Sequence, residues 1–111
     1  MNTSYFARLA KHPNAVSIAN ITPSWYKGRI YKKLAPPYPL IKRYKIDKDT
    51  ESYTKIYESE ILEKLDPLKT YSELGPNSIL LCYEVSGDFC HRHIVARWFH
   101  KHLNILVTEL L

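Results

Sequence analysis

The stretch richest in reactive side chains is Ile79-Leu80-Leu81-Cys82-Tyr83-Glu84-Val85-Ser86-Gly87-Asp88-Phe89-Cys90-His91-Arg92-His93. Its apolar start, Ile79 to Leu81, has the continuous pattern of a strand covered on both faces, predicted over residues 78–85. Alternation along that strand places Cys82 and Glu84 on one face, with Glu84 at the carboxyl end. Ser86-Gly87-Asp88 then turns the chain, and a helix is predicted from Cys90 or His91 to about Leu103. Cys90 would stand at the N-terminus of that helix, where unpaired backbone N–H groups and the helix dipole favour an anion. His91 and Arg92 strengthen this field, so Cys90 is the candidate thiolate nucleophile. His91 and Glu84 are the candidate proton carriers, Glu84 only if burial raises its pKa toward neutrality. Arg92 is a candidate anion ligand.

Plainer roles stand beside these. A free cysteine commonly packs as a small hydrophobe, which is the role expected of Cys82 among Leu80 and Leu81. Helical angle puts His91 on one side with Val95, Trp98 and His102, facing the sheet, and His93 on a solvated stripe with Arg97. Cys82, Cys90, His91 and His93 have the chemistry of zinc ligands, but their spacing matches no standard framework. Adjacent helical residues also point about 100° apart, so no metal and no cofactor is expected. A phosphate cradle needs several backbone N–H groups in a Gly-rich loop, and only Gly87 is near.

The elements that must position this segment follow from the rest of the chain. A short amphipathic helix is predicted at Ser4 to Lys11, stopped by Pro13, and a buried strand at Ala15 to Ile21. Residues 23–39 hold four prolines and one glycine, which predicts a long ordered loop without a regular element. A short helix is expected at Leu40 to Lys45. Asp49 caps the next, running to about Lys64, and Asp66-Pro67 starts another that ends at Leu74-Gly75-Pro76. Residues 104–110 read as a closing strand. Strands separated by helices give an α/β class: one compact three-layer domain over residues 1–111, with a small, mostly parallel sheet flanked by helices.

Composition sets the outer limits. The chain has 111 residues, 45% hydrophobic and 24% charged, which suits one globular domain. It holds no apolar run long enough to span a bilayer, and its first residues lack the pattern of a signal peptide. Two cysteines are consistent with a reducing compartment, so a cytoplasmic protein with no membrane partner is expected. The net charge of +5 conceals a polarity: residues 1–46 carry nine Lys or Arg and no acid, and residues 47–111 carry seven basic and eleven acidic.

The basic half holds a second candidate site, the proline-rich, aromatic region 23–45. If the 15–21 strand is parallel to the Cys82 strand, their carboxyl ends share an edge. The loop would then bring Asn20, Trp25, Tyr26, Lys27 and Arg29 close to Cys90. Aromatics interleaved with Lys and Arg suit a nucleotide or single-stranded nucleic acid, with bases stacked on rings and phosphates paired with cations. The same rings could instead be packing anchors of the loop, with the cations keeping it soluble.

From Leu80 to Arg92 the sequence resembles a family of bacterial, archaeal and phage proteins called domain of unknown function 488. The shared pattern is a Leu-Leu-Cys-x-Glu strand followed by Cys-His-Arg opening a helix, here Leu80 to Glu84 and Cys90 to Arg92. Residues 18–36, with Trp25-Tyr26-Lys27-Gly28 and Leu34-Ala35-Pro36, look like a subgroup of small members. The resemblance implies an α/β fold with Cys-His-Arg at a candidate site and carries no assigned activity. Many members have an Asp followed by an Arg at the end of the first strand, where this chain has Ile18-Ala19-Asn20.

Two functions are compatible with these readings. In one, a small enzyme acts on a nucleotide or nucleic acid through Cys90, His91 and Glu84, with Arg92 and Lys27 or Arg29 holding phosphate. In the other, a non-catalytic module binds nucleic acid or another anion through residues 23–45. The Cys-His-Arg turn is then structural, with Arg92 paired to Glu84.

Overall fold

The computed structural model describes residues 1–110. Five strands form one all-parallel sheet: β1 (Asn2–Tyr5), β2 (Ala15–Ser17), β3 (Arg29–Ile30), β4 (Ile79–Cys82) and β5 (Thr108–Glu109), in the order β3-β2-β4-β1-β5. Five helices accompany them: α1 (Phe6–Leu9), α2 (Tyr38–Asp47), α3 (Thr50–Glu60), α4 (Pro67–Leu74) and α5 (His91–Leu103). This is the α/β class expected. Among the described residues, no helix is long and apolar enough to cross a membrane.

The central strand is the apolar run. All four residues of β4 are buried, and period two splits them between faces. Ile79 and Leu81 join Ala15, Phe6 and Tyr26 in a small cluster under α1 and the loop after β2. Leu80 joins Val16 and Ile18 in the larger core, with Val95 and Phe99 of α5 and Tyr57 of α3. Cys82 lies on the Leu80 side by the same alternation, so its sulfur faces α5.

Local signals set the helix ends. The Asp49 carboxylate accepts from the Ser52 N–H, and that of Asp66 accepts from Leu68 and Lys69, each offsetting orphan donors of a first turn. Pro67 occupies the first turn of α4, and Gly75, at φ +93°, ends it. α5 stops at Asn104 in the left-handed conformation, with His100, Lys101 and His102 in its last turn.

Several boundaries differ from expectation. The segment predicted as a helix from Ser4 begins as strand β1 and becomes helical only at Phe6. Thr3 and Ser4 are buried polar residues, and hydrophobic periodicity does not register such a strand. The proline-rich loop contains β3 and a 3-10 turn at Lys32–Leu34, and α2 starts inside its predicted bounds. Two-residue strands are too short to carry a pattern. The helix expected to reach Lys64 ends at Glu60, and a 3-10 turn at Leu62–Lys64 follows, burying Leu62.

Candidate functional site

A parallel sheet gathers the carboxyl ends of all its strands on one edge. From that edge β1 and β2 send the chain over the Phe6 and Tyr26 face, whereas β4 sends it to α5 on the other. Such a reversal leaves a crevice beside the central strand, the usual ligand position in open α/β sheets. A cleft of about 490 Å³ lies there. Asn20 and Ile21 after β2 form one wall, and Tyr83, Glu84 and Phe89 after β4 form another. α2 supplies Tyr38, Ile41, Tyr44 and Lys45, with Lys48 at its end, and α3 supplies Tyr53.

Rings dominate the lining. Phe89 stacks on Tyr44 at 5.1 Å between centroids and meets Tyr53 edge-on at 5.1 Å. Lys48 Nζ lies 5.4 Å from the Tyr44 ring centre. Tyr83 and Tyr38 stand at the mouth, about half exposed. Glu84 is the carboxylate of the lining; it is exposed, so the burial on which its role as a proton carrier was conditioned is absent, and its side chain makes no hydrogen bond among the described residues. Burial raises the Tyr53 phenol above its ordinary pKa, and the nearby Glu84 charge and Tyr44 raise it further.

The floor holds the Cys-His-Arg segment. Cys90 is the N-cap of α5, as expected, but its sulfur is joined to Cys82 in a disulfide. The expectation of free thiols is corrected. Cys82 faces α5, and the seven-residue return from β4 sets the start of that helix over the strand end. Among the described residues, Cys82, Cys90 and His91 are the one group whose ligand atoms converge as a metal set would, all within 4.8 Å. With both sulfurs in the disulfide, neither is a thiolate ligand.

His91 is buried, as its helical angle required. Its Nε2–H donates to the Ile18 carbonyl at 2.7 Å, which turns Nδ1 toward Cys90 Sγ at 3.7 Å. Burial lowers its pKa to about 4 against the Ile18 hydrogen bond, with Arg92 and His93 lowering it further, so the ring is neutral.

Arg92 is fully buried and pairs with Glu109 rather than with Glu84. Nε and one terminal nitrogen bond the two carboxylate oxygens at 3.0 and 2.8 Å, and the other terminal nitrogen lies 2.9 Å from Cys82 Sγ. Glu109 also accepts from Thr3 and Ser86, at 2.6 and 2.7 Å. Burial would raise its carboxyl, but the hydrogen bonds from Arg92, Thr3 and Ser86 outweigh that and hold it at about 2. The partner was missed because Glu109 lies seventeen residues beyond Arg92, on a two-residue strand.

The basic loop divides. Asn20 reaches the cleft, and its side-chain N–H donates to the Pro36 carbonyl at 3.0 Å. The remaining candidates do not, since β3 is parallel to β2 and the chain must run back along the sheet before Arg29 pairs with Val16. Tyr26 is carried under the sheet, with its hydroxyl on the Arg29 carbonyl. Trp25 and Lys27 are exposed outside the cleft lining. The Arg29 guanidinium donates to the carbonyls of Leu74 and Glu73, at 2.9 and 3.0 Å, at the end of α4. Lysines at the cleft come from α2 instead, where the charge run gave the signal.

The fold and cleft define a small parallel α/β domain with its candidate site at the strand carboxyl ends. The chain belongs to the DUF488 family: the family model described as "DUF488-N3a: Active DUF488-N3 subclade" matches residues 7–103. No curated protein and no solved structure matches the chain. Both family blocks line the cleft, Cys82 from the end of β4 and Glu84 from the bend after it, where the strand predicted to Val85 has already ended, with Cys90 from the N-cap of α5 and His91 from its first turn. The first strand of the sheet is Asn2–Tyr5, and β2 ends at Ser17, so Ile18-Ala19-Asn20 is not the end of the first strand as expected but the start of the loop after β2.

Proposed function

We propose that the cleft is the active site of a small enzyme acting on a nucleotide unit, free or within a single strand. The observation that carries this reading is the lining itself: stacked and edge-on rings, two lysines at the rim, one carboxylate and one carboxamide. A base inserts among Tyr38, Tyr44 and Phe89, where stacking contributes about 1–3 kcal/mol. Lys45 and Lys48 take the phosphate, the role first given to Lys27, Arg29 and Arg92. Asn20 and Glu84 address the polar edge of the ligand, and the cleft volume suits a small molecule of this size.

Glu84 is the residue best placed to accept a proton from the ligand, being a carboxylate in the lining without a hydrogen-bond partner among the described residues. Cys90 serves as a nucleophile only when its disulfide is reduced. His91 then takes the thiol proton at Nδ1 and otherwise holds its place through Ile18. The family description, which terms the subclade active, favours an enzyme. A binding module is the second reading, favoured by the engagement of Arg92 with Glu109 instead of a ligand.

The test is calorimetric titration with nucleoside monophosphates and a short single-stranded oligonucleotide, followed by chromatography of the bound ligand over time. Binding with turnover that Glu84→Gln abolishes supports the enzyme. Binding without turnover by either protein favours the module. No binding at low salt contradicts both.

A further inference from the structure

We infer that Cys82 and Cys90 are a redox-active pair that exchanges electrons with small dithiols through the cleft. Cys82 ends β4 and Cys90 caps α5, and their bond closes the loop carrying Tyr83, Glu84 and Phe89. Both cysteines border the cleft but are buried, at 2% and 4% exposure, so a reagent entering the cleft reaches them as the loop over them opens. The two sulfurs have different neighbours. Arg92 donates an N–H to Cys82 Sγ at 2.9 Å, whereas Cys90 Sγ faces the neutral His91 Nδ1 at 3.7 Å.

That asymmetry sets the direction of exchange, because the sulfur that leaves most easily is the one whose thiolate is best stabilised. A dithiol thiolate attacks Cys90 Sγ, the Cys82–Cys90 bond breaks, and the electron pair stays on Cys82 as a thiolate against Arg92. The second thiol of the reagent, deprotonated, attacks its own sulfur in the mixed disulfide and releases Cys90. The reagent ends as a cyclic disulfide, having lost two electrons and two protons. One proton remains on Cys90 and the other goes to solvent. In reverse, His91 Nδ1 takes the Cys90 proton. This pairing is independent of what the cleft binds. Its consequence for the site is mechanical: reduction frees the loop that carries Glu84 and Phe89.

The experiment uses the folded wild-type chain and iodoacetamide labelling read by intact mass. Without reductant no label is expected; after dithiothreitol, with the far-ultraviolet spectrum unchanged, both cysteines take it, and removal of the reductant under air restores the unlabelled monomer. Acid quenching during reduction by a small monothiol should trap that thiol on Cys90. Labelling without reductant, reduction only after unfolding, or reoxidation into linked dimers would each overturn the pair. Trapping on Cys82 would overturn the assigned direction.

Discussion

Arg92 and Glu109 join α5 to β5 by two parallel N–H···O bonds, at 3.0 and 2.8 Å, with Arg92 fully buried. Sequestering a guanidinium costs several kcal/mol unless its donors are used. Here they are used by Glu109 and Cys82, and Thr3 and Ser86 fill the remaining positions on the carboxylate. Four segments of chain thereby meet at the edge of the candidate site. The arginine of the Cys-His-Arg motif is thus engaged within the fold and is not part of the cleft lining.

Removing one partner leaves a buried charge without compensation, so Arg92→Ala should cost about 3–5 kcal/mol. The double change Arg92→Met/Glu109→Leu should recover much of that loss, since it leaves neither charge behind. Urea denaturation measures both. A loss under about 1 kcal/mol for Arg92→Ala would mean that the pair is not uncompensated when broken.

Acid should destabilise the domain in two overlapping stages. His91 is held near 4 in the folded chain against 6.5, so between these values the unfolded chain binds the proton and the folded chain does not. Its contribution is complete above pH 6.5 and falls as pH drops toward 4, by up to about 1.4 kcal/mol per unit. Glu109 is held near 2 against 4.5, so its contribution is complete above 4.5 and is lost as pH falls toward 2. His91→Gln should flatten the upper stage alone in urea titrations across this range. Retention of the upper stage in that variant would assign it elsewhere.

Arg29 serves the opposite edge of the sheet, where it closes the last carbonyls of α4. Arg29→Met should therefore lower stability by about 1 kcal/mol and leave ligand affinity unchanged. A variant that weakens nucleotide binding with no loss of stability would restore the ligand role first expected of it.

Lys45 and Lys48 are in no ion pair among the described residues, whereas Lys33 is engaged by Glu73 and Arg43 by Asp47. The double change Lys45→Glu/Lys48→Glu should weaken oligonucleotide binding at least tenfold, roughly the worth of two phosphate contacts, and reduce the salt slope by about 1.4. Lys27→Glu should change neither. The reverse pattern would move the anion site to the loop after β2.

How much of this was legible in the sequence depended on the range of each signal. Asp49, Asp66-Pro67 and Gly75 act within one turn, and the helix ends fell where they indicated. The Ile79–Leu81 run marked the central strand, and helical angle buried His91 correctly. The Arg92–Glu109 pair spans seventeen residues and depends on a two-residue strand, so no local pattern announced it. The Cys82–Cys90 bond needed the three-dimensional return of α5 over β4. The loop after β2 was misplaced because β3, hidden among prolines, pulls Trp25, Tyr26 and Lys27 back along the sheet. Tyr44, Tyr53 and Phe89 read only as helix or turn residues until the fold set them around one cleft.

The most direct test of the nucleotide cleft is an NMR titration of isotope-labelled protein with nucleoside monophosphates and a short single-stranded oligonucleotide at low salt. The account predicts saturable shifts confined to Asn20, Tyr38, Tyr44, Lys45, Lys48, Tyr83, Glu84 and Phe89. Shifts centred on Trp25 to Arg29, or none at any ligand concentration, would contradict it.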